Sequence, residues 1–177
     1  MNSIIRKETK EDYQFTEQVV KKAFEKELYS DQNEHSLVSN LRNSDSFIPD
    51  LSLVALYNGK IIGHILLSKI FIINNENKKA SLALAPMSVF PEYQNRGVGK
   101  RLISTALNKA KSLNFESVIV MGHSNYYPKF GFKKASKWGL KAPFEVSDEF
   151  LMAIELKENA LKIESGIIEY PDVFFNH

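Results

Sequence analysis

A chain of 177 residues, 44% apolar and 25% charged, suits one domain that buries its own core. The absence of cysteine excludes disulfides, thiolate metal sites and a cysteine nucleophile. A formal charge of +2, with the lysines dispersed along the chain, leaves no nucleic-acid footprint.

The N-terminal MNSIIRKETKED lacks an apolar stretch followed by a small-residue cleavage site, so it does not read as a secretory signal. Every apolar run is broken before the ~20 residues needed to cross a bilayer. The expectation is a soluble, cytoplasmic protein with no membrane or nucleic-acid partner, either monomer or homodimer. The bias toward Lys, Ile and Asn suggests an AT-rich, bacterial genome.

Ser3 to Lys7 predicts a first short strand. Thr9-Lys10-Glu11-Asp12 then has the form of a helix start, an oxygen side chain three residues ahead of an acid. Phe15, Val19, Val20, Ala23 and Phe24 follow at spacings of four and three and give the helix one inward face. A second short helix is expected over Glu34 to Leu41, with Leu37, Val38 and Leu41 inward.

From Leu51 the pattern changes. LSLVALY and KIIGHILLSKIFII are apolar runs separated by Asn58-Gly59, the strongest short-range hairpin signal. A turn cluster at Asn74 to Lys79 leads into ASLALAPMSVF, a third strand, so the middle of the chain is an antiparallel meander. A helix over Gly97 to Leu113 follows, with Val98, Leu102, Ile103, Ala106, Leu107, Ala110 and Leu113 on its buried face. Phe115 to Met121 then predicts a buried strand. Strand, glycine turn, helix and strand make a βαβ unit, with parallel strands and a right-handed crossover.

NYYPKFGF, a strand at 150–156 and an apolar tail over 158–177 that packs back on the body complete the chain. The expected fold is α+β, a single domain over 1–177 with a mostly antiparallel mixed sheet, one parallel crossover and helices on both faces.

PEYQNRGVGKRL, from Pro91 to Leu102, places glycines at the start of a predicted helix. First-turn N–H groups have no intrahelical partner, and the macrodipole adds about half a positive charge there, so such a turn can hold an anion. Gly97 and Gly99 leave that backbone uncovered, while Arg96, Lys100 and Arg101 add charge. Close packing of helix on strand explains the glycines equally well. Upstream, Pro86 lies inside a strand, where proline is confined to an edge, a first residue or a bulge. Pairing near Met87, Ser88 and Val89 is therefore expected to be disturbed. If the strand and its parallel neighbour splay there, an extended amide-bearing ligand could add itself like a strand.

Gln94-Asn95-Arg96-Gly97-Val98-Gly99, with Pro91 three residues ahead, resembles the Q/R-x-x-G-x-G/A motif of the GNAT superfamily of N-acetyltransferases. The resemblance extends over most of the chain, and YYPKFGF with EYPDVFF is similar to a bacterial subgroup of acetyltransferases. It implies acetyl-CoA as cosubstrate and an amine as acceptor. Pantetheine would pair with Met87, Ser88 and Val89, and the pyrophosphate would rest on Gln94, Asn95, Arg96, Gly97, Val98, Gly99 and Lys100.

The resemblance also bears on Tyr126-Tyr127-Pro128-Lys129-Phe130-Gly131-Phe132. Acyl transfer to an amine needs a deprotonated nucleophile, a stabilised oxyanion and a proton for the leaving thiolate. A tyrosine hydroxyl, with ordinary pKa near ~10, can donate that proton. Family members place such a Tyr four residues before the Gly of a Gly-Phe pair, which is Tyr127 here. Many also have an Asn seven residues before the Tyr; that position is Val120, and Asn125 lies in what reads as a shortened helix, so that role is not carried over.

The general base stays open among Glu92, His123 and His64, acting directly or through water. Glu92 also reads as a solvated loop carboxylate, and His64 as a satisfied core histidine. His123 follows a buried strand, at the strand end where α/β sheets place ligands. Histidines at 35, 64, 123 and 177 show no metal-ligand spacing, so no metal is expected. Lys133, Lys134, Lys137 and Lys141 read as a solvated face. The acceptor side is expected to be lined by the first two helices and the segment 133–150.

Two alternatives compete with the enzyme. A non-catalytic acyl-CoA-binding or regulatory module could use the same scaffold. A dinucleotide-binding domain fits worse, because Leu102 stands where its third glycine belongs.

Overall fold

A computed structural model of the chain describes residues 1–162 and 165–175. Its elements are β1 (Ile4–Lys7), α1 (Tyr13–Phe24), α2 (Glu34–Arg42), β2 (Ser52–Tyr57), β3 (Lys60–Asn74) and β4 (Asn77–Val89). After these come α3 (Val98–Ser112), β5 (Ser117–Met121), β6 (Lys133–Lys134), β7 (Leu140–Lys141), β8 (Leu151–Glu155) and β9 (Gly166–Glu169).

The start of α1 is organised by Asp12. Its carboxylate accepts the Thr9 backbone N–H at 2.8 Å and a two-pronged bond from Arg6 at 2.6 and 3.0 Å. The buried stripe of α1 runs through Thr16, Val19 and Val20. Phe15, expected inward, is instead exposed: Thr16 takes the centre of the stripe, and the adjacent position is turned about 100° away.

Asn58 and Gly59 both take positive φ and close the β2–β3 hairpin between Tyr57 and Lys60. The next turn is tighter than the cluster Asn74 to Lys79 suggested. Asn75 alone takes positive φ, Asn74 pairs with Asn77, and β3 and β4 run on as long strands. α3 ends where Asn114 turns left-handed and the Phe115 N–H reaches the Ala110 carbonyl, so β5 starts at Ser117 rather than Phe115.

The strands form one mixed sheet in the order β1-β2-β3-β4-β5-β8-β6. β4 and β5 are parallel across the α3 crossover. β9, from the tail, pairs with β3 over Phe71 to Ile73, where β2 has already ended. A second parallel pair of two residues joins β7 to β9, so the crossover is not the only parallel contact.

Alternation along the strands supplies both faces. Leu53, Ala55, Ile65 and Leu67 pack with Leu102, Ile103 and Ala106 of α3. Val54 packs with Val19 of α1, and Leu66 with Val20, Leu37 and Leu41 under α1 and α2. The architecture is a single mixed α/β domain with helices on both faces of the sheet.

Candidate functional site

The site begins at a defect in the sheet. Ile65 pairs with Met87 but Leu67 pairs with Leu84, so β4 carries one extra residue opposite Leu66. Pro86, which has no N–H to give a ladder, lies in that bulge. On the other edge, the β4–β5 ladder consists of Leu82 with Val118 and Ala83 with Ile119. Beyond Ala83 the strands part: β4 continues to Val89 against β3, and β5 continues to Met121 against β8.

The opening is a cleft of about 880 Å³. Met87, Ser88 and Val89 line it along the free edge of β4, and Gln94, Asn95, Gly97, Gly99 and Lys100 line it at the head of α3. The Ser88 hydroxyl is buried and has no hydrogen-bond partner among the described residues. Gly97 has φ of 83° and open space where a Cβ would stand. No side chain caps α3, whose first internal bond runs from the Arg101 N–H to the Gly97 carbonyl at 3.1 Å. Bare first-turn donors beside Lys100 suit an anion.

Three motif residues stand differently from the rest. The Gln94 amide donates to the Val89 carbonyl at 3.0 Å, tying the turn to the end of β4. Val98 buries its side chain in the core, which leaves only its backbone toward the turn. Arg96 is exposed over the Tyr93 ring at 5.9 Å and is not part of the cleft lining.

Across the gap, Gly122 follows β5 and anchors to the Phe150 carbonyl at 3.0 Å. The chain then turns through Ser124 and Asn125 into a 3-10 turn, Tyr127–Phe130. Tyr127 is buried and lines the cleft, its ring meeting Phe132 edge-on at 5.7 Å and Tyr126 at 5.2 Å. Burial pushes the Tyr127 phenol well above its ordinary pKa, so it stays protonated and can act as a donor. Burial also raises Tyr126. Its hydroxyl lies 2.8 Å from the place a Gly99 Cβ would take, bringing Tyr126 to the head of α3.

Of the proposed bases, His123 lines the cleft on its exposed rim. Glu92 sits exposed on the 3-10 turn Pro91–Tyr93, outside the lining, and the structure does not bring it to Tyr127. His64 is fully buried, bonded to the Ser52 hydroxyl at 2.9 Å. His177 lies outside the described residues. Among the described residues no three His, Asp or Glu side chains gather as a metal cluster, and no helix is long and apolar enough to cross a membrane.

The far end of the cleft is built partly as expected, from Phe24, Glu27, Tyr29, Glu34 and Leu37 of the α1–α2 region and from Phe144. The tail adds Tyr170, Phe174 and Phe175, which sequence reasoning did not place there. Gly122 was also missed; its one signal was a glycine directly after a buried strand.

The model of the Acetyltransferase (GNAT) family matches residues 6–132. Among proteins of Escherichia coli (strain K12), the chain is 39% identical to the uncharacterized N-acetyltransferase YjhQ over 117 residues, 66% of this chain and 65% of that protein. It is 25% identical to the uncharacterized N-acetyltransferase YhbS over 97% of this chain and 98% of that one. In structure it is similar to a GNAT family acetyltransferase from Brucella melitensis in complex with acetyl-CoA, with TM-score 0.81, 28% identity and 98% of both chains covered. YhbS from Escherichia coli in complex with CoA has the same fold, with TM-score 0.88 at 23% identity over 99% of this chain and 93% of that one. A family match over more than half of the sequence identifies the chain as a member of the GNAT acetyltransferase family.

Proposed function

We propose that the protein is an acetyl-CoA-dependent N-acetyltransferase that acetylates a primary amine by direct attack on the thioester. The observation that carries this reading is the parting of β4 from β5 beyond Ala83, which opens a cleft lined by the glycine turn and by Tyr127. The residues present suit the cosubstrate. Ser88 holds an orphaned buried hydroxyl, the β5-facing edge of β4 has no strand partner beyond Ala83, and Gly97 and Gly99 bare the head of α3. The Brucella melitensis relative in complex with acetyl-CoA supports the same assignment.

When bound, acetyl-CoA would supply the thioester carbonyl carbon to which the amine nitrogen bonds as the carbon–sulfur bond breaks. The free edge of β4 near Val89 would offer backbone N–H to the carbonyl oxygen. Met87, Ser88 and Val89 would hold the amide-bearing arm, while Gly97, Val98, Gly99 and Lys100 would receive the phosphates through backbone and charge, with Arg96 and Asn95 at the rim. Tyr127 would give its proton to the departing sulfur. An amine with pKa near ~10.4 must first lose a proton, at about 4–5 kcal/mol at neutral pH. His123, or water beside it on the rim, would take that proton.

The test is release of free thiol from acetyl-CoA across an amine and peptide panel, with Tyr127→Phe alongside. The expected result is turnover by the native chain and a fall of about 10²-fold in kcat for Tyr127→Phe, with CoA affinity within twofold. Binding of acetyl-CoA with no thiol released to any amine would overturn the catalytic reading in favour of a binding module.

A further inference from the structure

The far end of the cleft has a chemistry of its own. Phe144, Tyr170 and Phe175 stand 5.9, 6.2 and 6.4 Å apart by ring centres, and Phe174 meets Tyr170 at 5.2 Å. This cluster is not sealed in the core, since Phe144 and Phe175 are 38% and 56% exposed while they line the cleft. The α1–α2 loop carries Leu28 and Tyr29, 91% and 99% exposed, and Tyr29 shares the cleft lining. Large apolar groups held in water around the mouth of a cavity mark a surface that gains by being covered.

Two carboxylates share this end. One Glu34 oxygen takes the Ser30 hydroxyl, while the other is shut away from solvent and has no partner among the described residues. Glu27 lines the same wall and forms no ion pair among the described residues. The lysine on the lining, Lys100, sits at the opposite end, at the head of α3. A buried carboxylate oxygen without a donor is unfavourable unless a ligand supplies one. Aromatic faces near a carboxylate favour a cation, whereas an incoming carboxylate or phosphate would meet Glu34 and Glu27 with no compensating positive charge.

Resting on the N-acetyltransferase reading, we infer that the acceptor is an amine carried on an aromatic body and free of carboxylate or phosphate groups. Glu34 and Glu27 receive its charged nitrogen as it enters. Phe144, Phe174 and Phe175 hold its ring, and the α1–α2 loop with Tyr29 lies over the mouth. The nitrogen then loses its proton and turns toward Tyr127.

The experiment is calorimetric titration of phenethylamine, L-phenylalanine, methylamine and spermidine into the full chain held with CoA, beside thiol release from acetyl-CoA with the same amines. Phenethylamine is expected to bind at least about tenfold tighter than L-phenylalanine, which adds one carboxylate, and than methylamine, which lacks the ring. Glu34→Gln is expected to weaken phenethylamine about tenfold, and Phe175→Ser about threefold, with CoA affinity unchanged in both. Equal or tighter binding of L-phenylalanine or spermidine, or no binding of phenethylamine, overturns the inference. Phenethylamine bound but not acetylated, with no other amine turned over, leaves the pocket assignment standing and defeats the catalytic reading. Acetylation of other amines alone, with phenethylamine unbound, does the reverse.

Discussion

A Cβ on Gly122 would stand 2.3 Å from Cε2 and 2.9 Å from Cδ2 of Tyr127, so the tyrosine ring rests directly on bare backbone at the end of β5. The contact lies beneath a buried ring wedged against Phe132, not at the tip of a free side chain. Gly122→Ala therefore has to displace the ring or the strand end. We expect a loss of about 1–3 kcal/mol of stability, as for other overpacked sites, together with a fall in kcat of about 10²-fold, like that of Tyr127→Phe. Urea unfolding and steady-state thiol release check the two effects. Full activity in Gly122→Ala would show that the ring position does not matter to turnover.

At the other wall, Gly99 separates stability from binding. It lies in the first turn of α3, where alanine would favour the helix by up to about 1 kcal/mol. The same Cβ would stand 2.8 Å from the Tyr126 hydroxyl and 3.4 Å from the Met87 methyl, the far ends of side chains that can swing aside into the cleft. Gly99→Ala is expected to unfold at an equal or higher temperature while CoA binding weakens about tenfold, because the displaced groups fill the space the ligand needs. Thermal unfolding and CoA calorimetry should move in opposite directions; parallel losses would contradict this account.

These two glycines show how far the sequence could be read. Gly99 belongs to a spaced motif ahead of a helical pattern, so its position is legible in the sequence. The bulge was legible for a similar reason, since proline removes a ladder donor wherever it stands. Gly122 has no motif, and only the ring folded over it reveals its purpose. The meander, the crossover and the βαβ order followed from periodicity and the Asn58-Gly59 turn. β6 and β7 did not, because strands of two residues carry no alternation to register, and β9 was read only as part of an apolar tail. The aromatic end of the cleft was hidden for another reason. Phe144 and Phe175 are distant in sequence, and their meeting depends on β9 joining the edge of β3.

Below α1 and α2 lies a buried ionic cluster. Arg42 donates to Glu8 at 2.8 and 3.3 Å and to Glu17 at 2.6 Å, and its guanidinium stacks 3.8 Å from the centre of the Tyr13 ring. The Arg42 and Glu8 side chains are 5% and 1% exposed. Arg42→Met would leave the Glu8 carboxylate desolvated and uncompensated, which costs about 3–5 kcal/mol. Replacing both residues with methionine should recover much of that loss, because the buried charge leaves with its partner. Urea denaturation of the two single variants and the double variant checks the coupling; strictly additive losses would refute it.

His64 gives the stability a distinct acid limb. It is fully buried beside Ser52, Glu8 and Arg42, and burial lowers it from 6.5 to about 4, against the pull of Glu8 and with the push of Arg42. As pH falls below 6.5 the unfolded chain takes up this proton while the folded chain does not, so unfolding binds protons and stability declines until about pH 4. The fall from 6.5 to about 4 corresponds to about 3 kcal/mol over that window. Asp12 acts lower: Arg6 holds it at about 2, so its contribution is present above 3.8 and fades only as pH falls from there toward 2. Urea unfolding in steps from pH 7 to 4 should show the decline in the native chain. His64→Gln, which does not titrate, should flatten the curve between pH 6.5 and 4 while leaving the Asp12 limb below 3.8 intact. An unchanged slope in His64→Gln would assign the limb to other groups.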